Sequence, residues 1–323
     1  MKKVLITGGA GFIGSNLTAS QLEKKNQVTV YDNLSRPKSI KNLQWLRSLK
    51  NKNLRIVRGD VENSNQLAAE VKKAAIIFHL AGQTAVTTSI KKPALDFRSN
   101  LLGSFNLLEA ARKAGHRPII VYSSTNKVYG QLQGKRKPVS EKQPLEFHSP
   151  YACSKGGADQ YIQDYYRSFS LPTVVFRQSC IYGPHQFGNE DQGWVAHFII
   201  SALNRRPLTI YGDGQQVRDI LEVSDLVRAF DLAVKKINQA RGQVYNVGGG
   251  PANAISLLEL IKILENELAE RIKVSFARKR LGDQQYYVSN IDKIKKDLSW
   301  QPLISKEKGV RQLINWMKKN QIR

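Results

Sequence analysis

Short continuous apolar runs alternate with longer amphipathic stretches through the first half of the chain. Lys3–Ile6, Val28–Tyr31, Leu54–Val57, Ala75–His79, Pro118–Tyr122 and Pro172–Phe176 each read as a strand buried on both faces. Between them lie helical patterns, one running from the glycine-rich segment after the first strand to about Lys25, another from Ala94 to Ala114. Strand–helix alternation of this kind predicts an α/β fold, a doubly wound parallel sheet of the Rossmann type. After about residue 178 the rhythm changes: loops lengthen at 182–193 and 211–219, and short strands mix with helices. The expectation is a nucleotide-binding domain over 1–178, to which 216–248 returns, and a smaller mixed α/β substrate domain over 179–323.

A helix is predicted to start at Ser149-Pro150, because serine suits the N-cap and proline the first helical position. Tyr151 and Lys155 then share one face. At 100° per residue, Ala158, Ile162, Tyr165 and Phe169 continue that stripe, which should face the core. Tyr-x-x-x-Lys alone is a weak pattern, and an exposed tyrosine and solvated lysine would be its plain explanation. Here the lysine falls on the apolar side, where an unpaired charge is costly. A lysine beside a phenol can make that phenol a usable base.

Gly8, Gly11 and Gly14 stand between the first strand and its helix in Gly-x-x-Gly-x-x-Gly spacing. Such a turn brings backbone amides of Phe12 and Ile13 and a helix N-terminus against a pyrophosphate. Asp32 ends the second strand, 18 residues after Gly14, where a carboxylate takes adenosine ribose hydroxyls. A carboxylate there repels a 2′-phosphate and favours NAD over NADP, although Arg36 lies close by. Asn33 and Ser35 belong to the same edge, and Asp60-Val61 could bracket the adenine. Leu80, Ala81, Gln83 and Thr84 follow the fourth strand, the last two within reach of nicotinamide or substrate. Ser123, Ser124 and Thr125 follow the fifth at the carboxyl edge of the sheet, where doubly wound folds bind ligands; strand-end capping is the simpler role for these hydroxyls. Gln178 ends the sixth strand.

Composition narrows this further. A chain of 323 residues can bury a large core. It carries no run of 18 apolar residues and no signal-peptide pattern, so a soluble cytoplasmic protein without a membrane span is expected. Two cysteines, Cys153 and Cys180, build no disulfide framework, and no metal site is expected. The excess of 50 Lys+Arg over 26 Asp+Glu gives a net charge of +24. The lysines come as scattered doublets, and no helix-turn-helix, zinc-finger or RNA-binding signature is present. A basic surface that attracts phosphorylated substrates is expected rather than specific nucleic-acid binding.

With the glycine loop, Ser124/Thr125 and Tyr151/Lys155 together, nearly the whole chain resembles the extended, nucleotide-sugar-modifying branch of the short-chain dehydrogenase/reductase superfamily. The resemblance implies Tyr151 as acid/base, Lys155 lowering its pKa and holding the nicotinamide ribose, and Thr125 or Ser124 bonding the reacting oxygen. Sugar-nucleotide 4,6-dehydratases of this branch carry Asp-Glu directly after that threonine; this chain has Asn126-Lys127. Elimination therefore lacks its acid and base, which leaves epimerisation or simple hydride transfer. The segments Ser124–Gly130, His148–Gln160, Phe176–Pro184, Gln186–Trp194 and Gly212–Asp219 resemble the CDP-paratose (CDP-tyvelose) 2-epimerase group. Two positions depart from related proteins: Cys180, where 4-epimerases have an asparagine that touches substrate, and His185, where an arginine is usual.

The resemblance thus implies epimerisation at carbon 2 of a CDP-hexose through a transient keto sugar, with NAD retained. Arg218 and Arg280 are the expected diphosphate clamps. Thr84, Thr125, Asn126, Ser179, Cys180, Asn189, Gln192 and Tyr211 are expected on the substrate side. Asn100 is read as tying its helix to the strands beside the cofactor. Asn246–Gly250 is read as a strand-ending turn. A homodimer through the 94–114 and 150–169 helices is expected. Competing readings are a UDP-sugar 4-epimerase and a non-catalytic NAD-binding protein of the same fold.

Overall fold

The computed structural model describes residues 1–36, 38–132, 136–279 and 284–322. Its main sheet has seven strands: β1 (Lys3–Thr7), β2 (Gln27–Asp32), β3 (Leu54–Arg58), β4 (Ile76–His79), β5 (Ile119–Thr125), β6 (Thr173–Gln178) and β10 (Val244–Val247). All pair in parallel in the order β10-β6-β5-β4-β1-β2-β3. The six runs legible as apolar blocks are the first six of these strands. Both faces are covered, so side chains alternate between two cores rather than between core and solvent. Val4, Ile6, Phe78 and Val121 face one core with Leu17, Phe230 and Trp300. Leu5, Ile77, Ile120 and Tyr122 face the other with Leu107, Leu108 and Ile162.

The seventh strand comes from the later half of the chain. The Val223–Lys235 helix and β10 pack on the main sheet, as do Ile294, Leu298 and Trp300. The preceding strand does not: β9 (Val217–Glu222) belongs to a second sheet with β7 (Cys180–Tyr182), β11 (Ala254–Ser256) and β13 (Tyr286–Tyr287). Residues 217–219, expected in a loop, are thus strand. A two-stranded ladder of β8 (Leu208–Tyr211) and β12 (Val274–Ala277) lies beside the helices Trp194–Leu203, Leu257–Leu268 and Lys306–Lys319, whose apolar faces form a third core. Asn246–Gly250 ends β10 as a turn into a 3-10 segment, as its sequence predicts.

Two helices differ from their patterns. The 94–114 pattern is not one α-helix: Pro93–Asp96 is followed by a π-helical turn, Phe97–Leu102, before Gly103–Arg112. The Pro150–Phe169 helix starts as expected, Ser149 accepting from Ala152 N–H at 3.1 Å. Its stripe is buried from Tyr151 through Tyr165, but Phe169 is exposed at 41% beneath the Arg112 guanidinium. Among the described residues no helix is long and apolar enough to cross a membrane.

Candidate active site

The sheet order reverses between β1 and β4, and their carboxyl ends open a crevice lined by the glycine turn. Gly8 sits at φ +69°, and a Cβ there would come within 2.7 Å of Ala81 N; one on Gly14 would meet Gly8 O at 2.2 Å. Gly11, the N-cap of the Phe12–Glu23 helix, has only Gly8 O nearby, at 3.1 Å from an added Cβ, and no side chain caps the helix. The first and third glycines close the turn, and the second leaves the amide end open to an anion. Asp32 is held by Ala10 N–H (3.0 Å) and Leu34 N–H (2.8 Å). Burial raises its pKa while those amides and Arg36 oppose the shift. Asn33 donates to Asp60 at 2.8 Å and accepts from Ser35 N–H at 3.0 Å, and Val61 packs against Gly103. Leu80 and Ala81 N–H groups bond Thr7 at 3.1 and 3.3 Å. Gln178 carries an Nε2 that is buried without a partner among the described residues. An open helix end, a carboxylate at the ribose position and an orphaned amide donor fit a dinucleotide.

Tyr151, Lys155 and Thr125 meet at the inner end of this crevice. Thr125 accepts Lys127 N–H at 3.2 Å and hydrogen-bonds the Tyr151 phenol, opposing the burial that pushes its pKa up to about 12. Lys155 does not bond Tyr151. Its ammonium donates to Ser123 O at 2.5 Å and lies 4.3 Å from the centre of the Tyr122 ring. Burial lowers its pKa to about 7. Ser124, expected beside the reacting oxygen, instead donates to Asp159 at 2.7 Å. Asp159 forms a fully buried bidentate pair with Arg177, both bonds 2.9 Å. Its position four residues after Lys155 is the signal that could have revealed it.

Arg36 is the surprise of the cofactor edge. Its guanidinium crosses the cleft, donating to Thr84 Oγ1 at 2.5 Å and Gln192 Oε1 at 2.7 Å. It thereby ties the β2 edge to the Gln186–Trp194 run. That run is also fixed by Asn16 to Pro184 O (2.9 Å), by Asn42 to His185 O (3.3 Å), and by His185 stacked 3.5 Å from Trp45. The residue at 185 is thus a packing element of the loop.

The other substrate-side positions divide. Cys180 faces Trp194, with Arg218 and Lys127 near enough to act on its thiol, which burial pushes up. Arg218 is buried, donating to Val217 O (2.7 Å) and Gln284 O (2.5 Å). Asn126 is buried with long contacts of 3.4 Å to Thr125 and 3.5 Å to Gln284, and Gln284 is anchored to Gly130 O at 2.6 Å. Tyr211 donates to Glu190. Two expected contacts are spent within the protein: Asn189 Oδ1 closes its own turn on Asp191 and Gln192 N–H, and Ser179 Oγ bonds Asp219 at the seam of the two sheets. Arg280 lies outside the described residues. Gln83, Asn100, Asp96 and Ser154 form one buried network behind Tyr151. Asp96 and Ser154 are not singled out by any sequence pattern.

Residues 5–313 match the family model described as GDP-mannose 4,6 dehydratase. A CDP-paratose 2-epimerase of Salmonella typhi is 42% identical over 97% of this chain and 98% of its own. The crystal structure of a UDP-glucose 4-epimerase from Thermotoga maritima with UDP-glucose superposes with a TM-score of 0.90 at 31% identity, covering 99% of each chain. A UDP-glucuronic acid 4-epimerase from Bacillus cereus, in complex with UDP-glucuronic acid and NAD, gives 0.89 at 28% identity, covering 98% of this chain and 99% of that one.

Proposed function

Because the chain belongs to the GDP-mannose 4,6-dehydratase family, an extended short-chain dehydrogenase/reductase, we propose that it is an NAD-dependent epimerase inverting carbon 2 of a CDP-hexose. The supporting observation is the pair after Thr125. Asn126 is a neutral, buried amide and Lys127 a lysine, so this pair supplies no carboxylic acid and base for losing water. The likeness to the Salmonella typhi CDP-paratose 2-epimerase supports carbon 2 and the cytidine base.

The glycine turn, Asp32 and Gln178 would hold NAD, which when bound supplies a reversible sink for the carbon-bound hydrogen. Arg36 and Thr125 favour the phenolate over a phenol held near 12. Tyr151 takes the proton of the carbon-2 hydroxyl as that carbon becomes a carbonyl, then returns it after the planar sugar presents its other face. Thr125 steadies the oxygen throughout. Lys155, anchored on Ser123 O, keeps a cation beside the couple. Arg218 and Arg280 would grip the diphosphate, with Cys180, Gln192 and Tyr211 of the substrate domain over 179–323, and Thr84 from across the cleft, around the sugar and base. Exposed Phe97, Phe105 and Tyr161, on helices adjoining one another, support a homodimer.

Incubation with CDP- and UDP-hexoses, followed by release and analysis of the sugars, tests the reading. Expected are a carbon-2 epimer from the CDP-sugar and no build-up of free NADH. A carbon-4 epimer from the UDP-sugar, or NADH accumulating with substrate, would overturn it.

A further inference from the structure

In the main sheet β1 lies between β2 and β4, so a bond joining the ends of β2 and β4 passes over the carboxyl end of β1. Arg36, just beyond β2, makes such a bond to Thr84, just beyond β4, at 2.5 Å. The glycine turn that follows β1 sits between those two ends and is fitted to both. Ala10 N–H donates to Asp32 at 3.0 Å, and a Cβ added to Gly8 would come within 2.7 Å of Ala81 N. The guanidinium therefore arches over the turn whose open helix end suits a diphosphate. Neither of its acceptors, Thr84 Oγ1 and Gln192 Oε1, carries a charge, so its own charge stays available to an anion beneath it. Asp32, the carboxylate of the same edge, is engaged by Ala10 and Leu34 N–H.

The second anchor, Gln192, belongs to a loop that is built to receive it. The start of that loop is fastened to the cofactor side, by Asn16 to Pro184 O at 2.9 Å, Asn42 to His185 O at 3.3 Å and the stack of His185 on Trp45. Its body is closed on itself. Gln186 Nε2 donates to Ile181 O at 3.1 Å, and Asn189 and Gln192 exchange backbone bonds of 2.9 and 3.2 Å. A Cβ added to Gly188 would stand 2.5 Å from Gly193 O, so the loop has no slack there. Gln192 is thus held by its backbone, with its side-chain oxygen turned to Arg36. We propose that Arg36 is a positioning residue that straps the cofactor in. Bonded to Thr84 and Gln192, it closes the crevice over the NAD diphosphate, and exchange of the cofactor requires both bonds to open. Epimerisation returns the hydrogen to the sugar it came from, so a cofactor held between the two transfers serves it. The inference rests on the glycine turn as the NAD site and not on the identity of the sugar or of its carbon.

Protein loaded with radiolabelled NAD and chased with unlabelled NAD reports release of the cofactor with no sugar nucleotide present. A wrong substrate assignment therefore leaves the test intact. Arg36→Gln and Gln192→Leu should each speed release by at least about tenfold, the loss of one hydrogen bond to a charged group. The double variant should release no faster than Arg36→Gln alone, because both substitutions break the same bond. Gln192→Leu changes no charge and lies across the cleft, so its effect separates a strap from a simple contact between Arg36 and NAD. Unchanged release in Gln192→Leu, or single effects that multiply in the double variant, overturns the proposal. Should Gln192→Leu fail to fold, Thr84→Val removes the other acceptor and takes its place: faster release supports the strap, and unchanged release overturns it.

Discussion

The surroundings of Tyr151 pull its phenol in opposite directions. Burial holds the phenol near 12, Thr125 and Arg36 pull it down, and the ammonium of Lys155 is parked on a backbone carbonyl. Positioned proton transfer is worth roughly 10²–10⁴-fold. Tyr151→Phe should therefore lower kcat by at least about 10²-fold while NAD affinity, read by equilibrium dialysis, stays unchanged. Turnover surviving in that variant would move the base elsewhere. Tyr151 and Lys155 were legible because proline and serine fix the helix start and hence the stripe. Asp159 sat on the same face at i+4 and was legible in principle. Asp96 was not, since its burial depends on a π-turn, and a single extra residue in a helix leaves no mark in a 3.6-residue period. Ser124 could not be told from Thr125 by composition; only the buried Arg177 pair decides which hydroxyl is spent.

Among the elements, the strands were the readable part, because doubly covered β-strands are uniform apolar blocks and need no partner to be recognised. β10 and the Val223–Lys235 helix were readable as returning to the main sheet, whereas β9 was not separable from them: its partners β7, β11 and β13 are short and distant in sequence. The same helices that frame the site also leave apolar side chains outside. Phe105 and Tyr161, from the Gly103–Arg112 and Pro150–Phe169 helices, meet edge to face at 6.0 Å between ring centres, and both remain exposed. If a second copy covers them, light scattering should report twice the 36.4 kDa chain mass. Phe105→Glu with Tyr161→Glu should then shift the protein to monomer with its helicity intact. A wild-type mass of a single chain would remove this face as an interface.

Taken across the entire chain, the net charge of +24 stores self-repulsion that acid makes worse. Superimposed on that is a specific acid liability at His79, in the core of the main sheet. Thr7 donates to one ring nitrogen at 2.7 Å, and Ser104, whose own proton goes to Asn100 O, accepts from the other at 3.0 Å. Burial lowers the histidine from its ordinary 6.5 to about 3, with Lys155 adding in the same direction. Between those values the unfolded chain binds a proton that the folded chain refuses. The contribution is therefore intact above pH 6.5 and drains away as pH falls toward 3, at up to about 1.4 kcal/mol per unit. His185, lowered to about 4 by burial against Trp45, steepens the same limb. Urea unfolding between pH 7 and 4 should show this slope. His79→Gln, which keeps one donor and one acceptor but cannot take the proton, should be less stable at pH 7 and lose stability more slowly on acidification. Parallel pH slopes for the two proteins would mean that the buried histidine is not a source of the acid sensitivity, leaving His185 and the net charge to account for it.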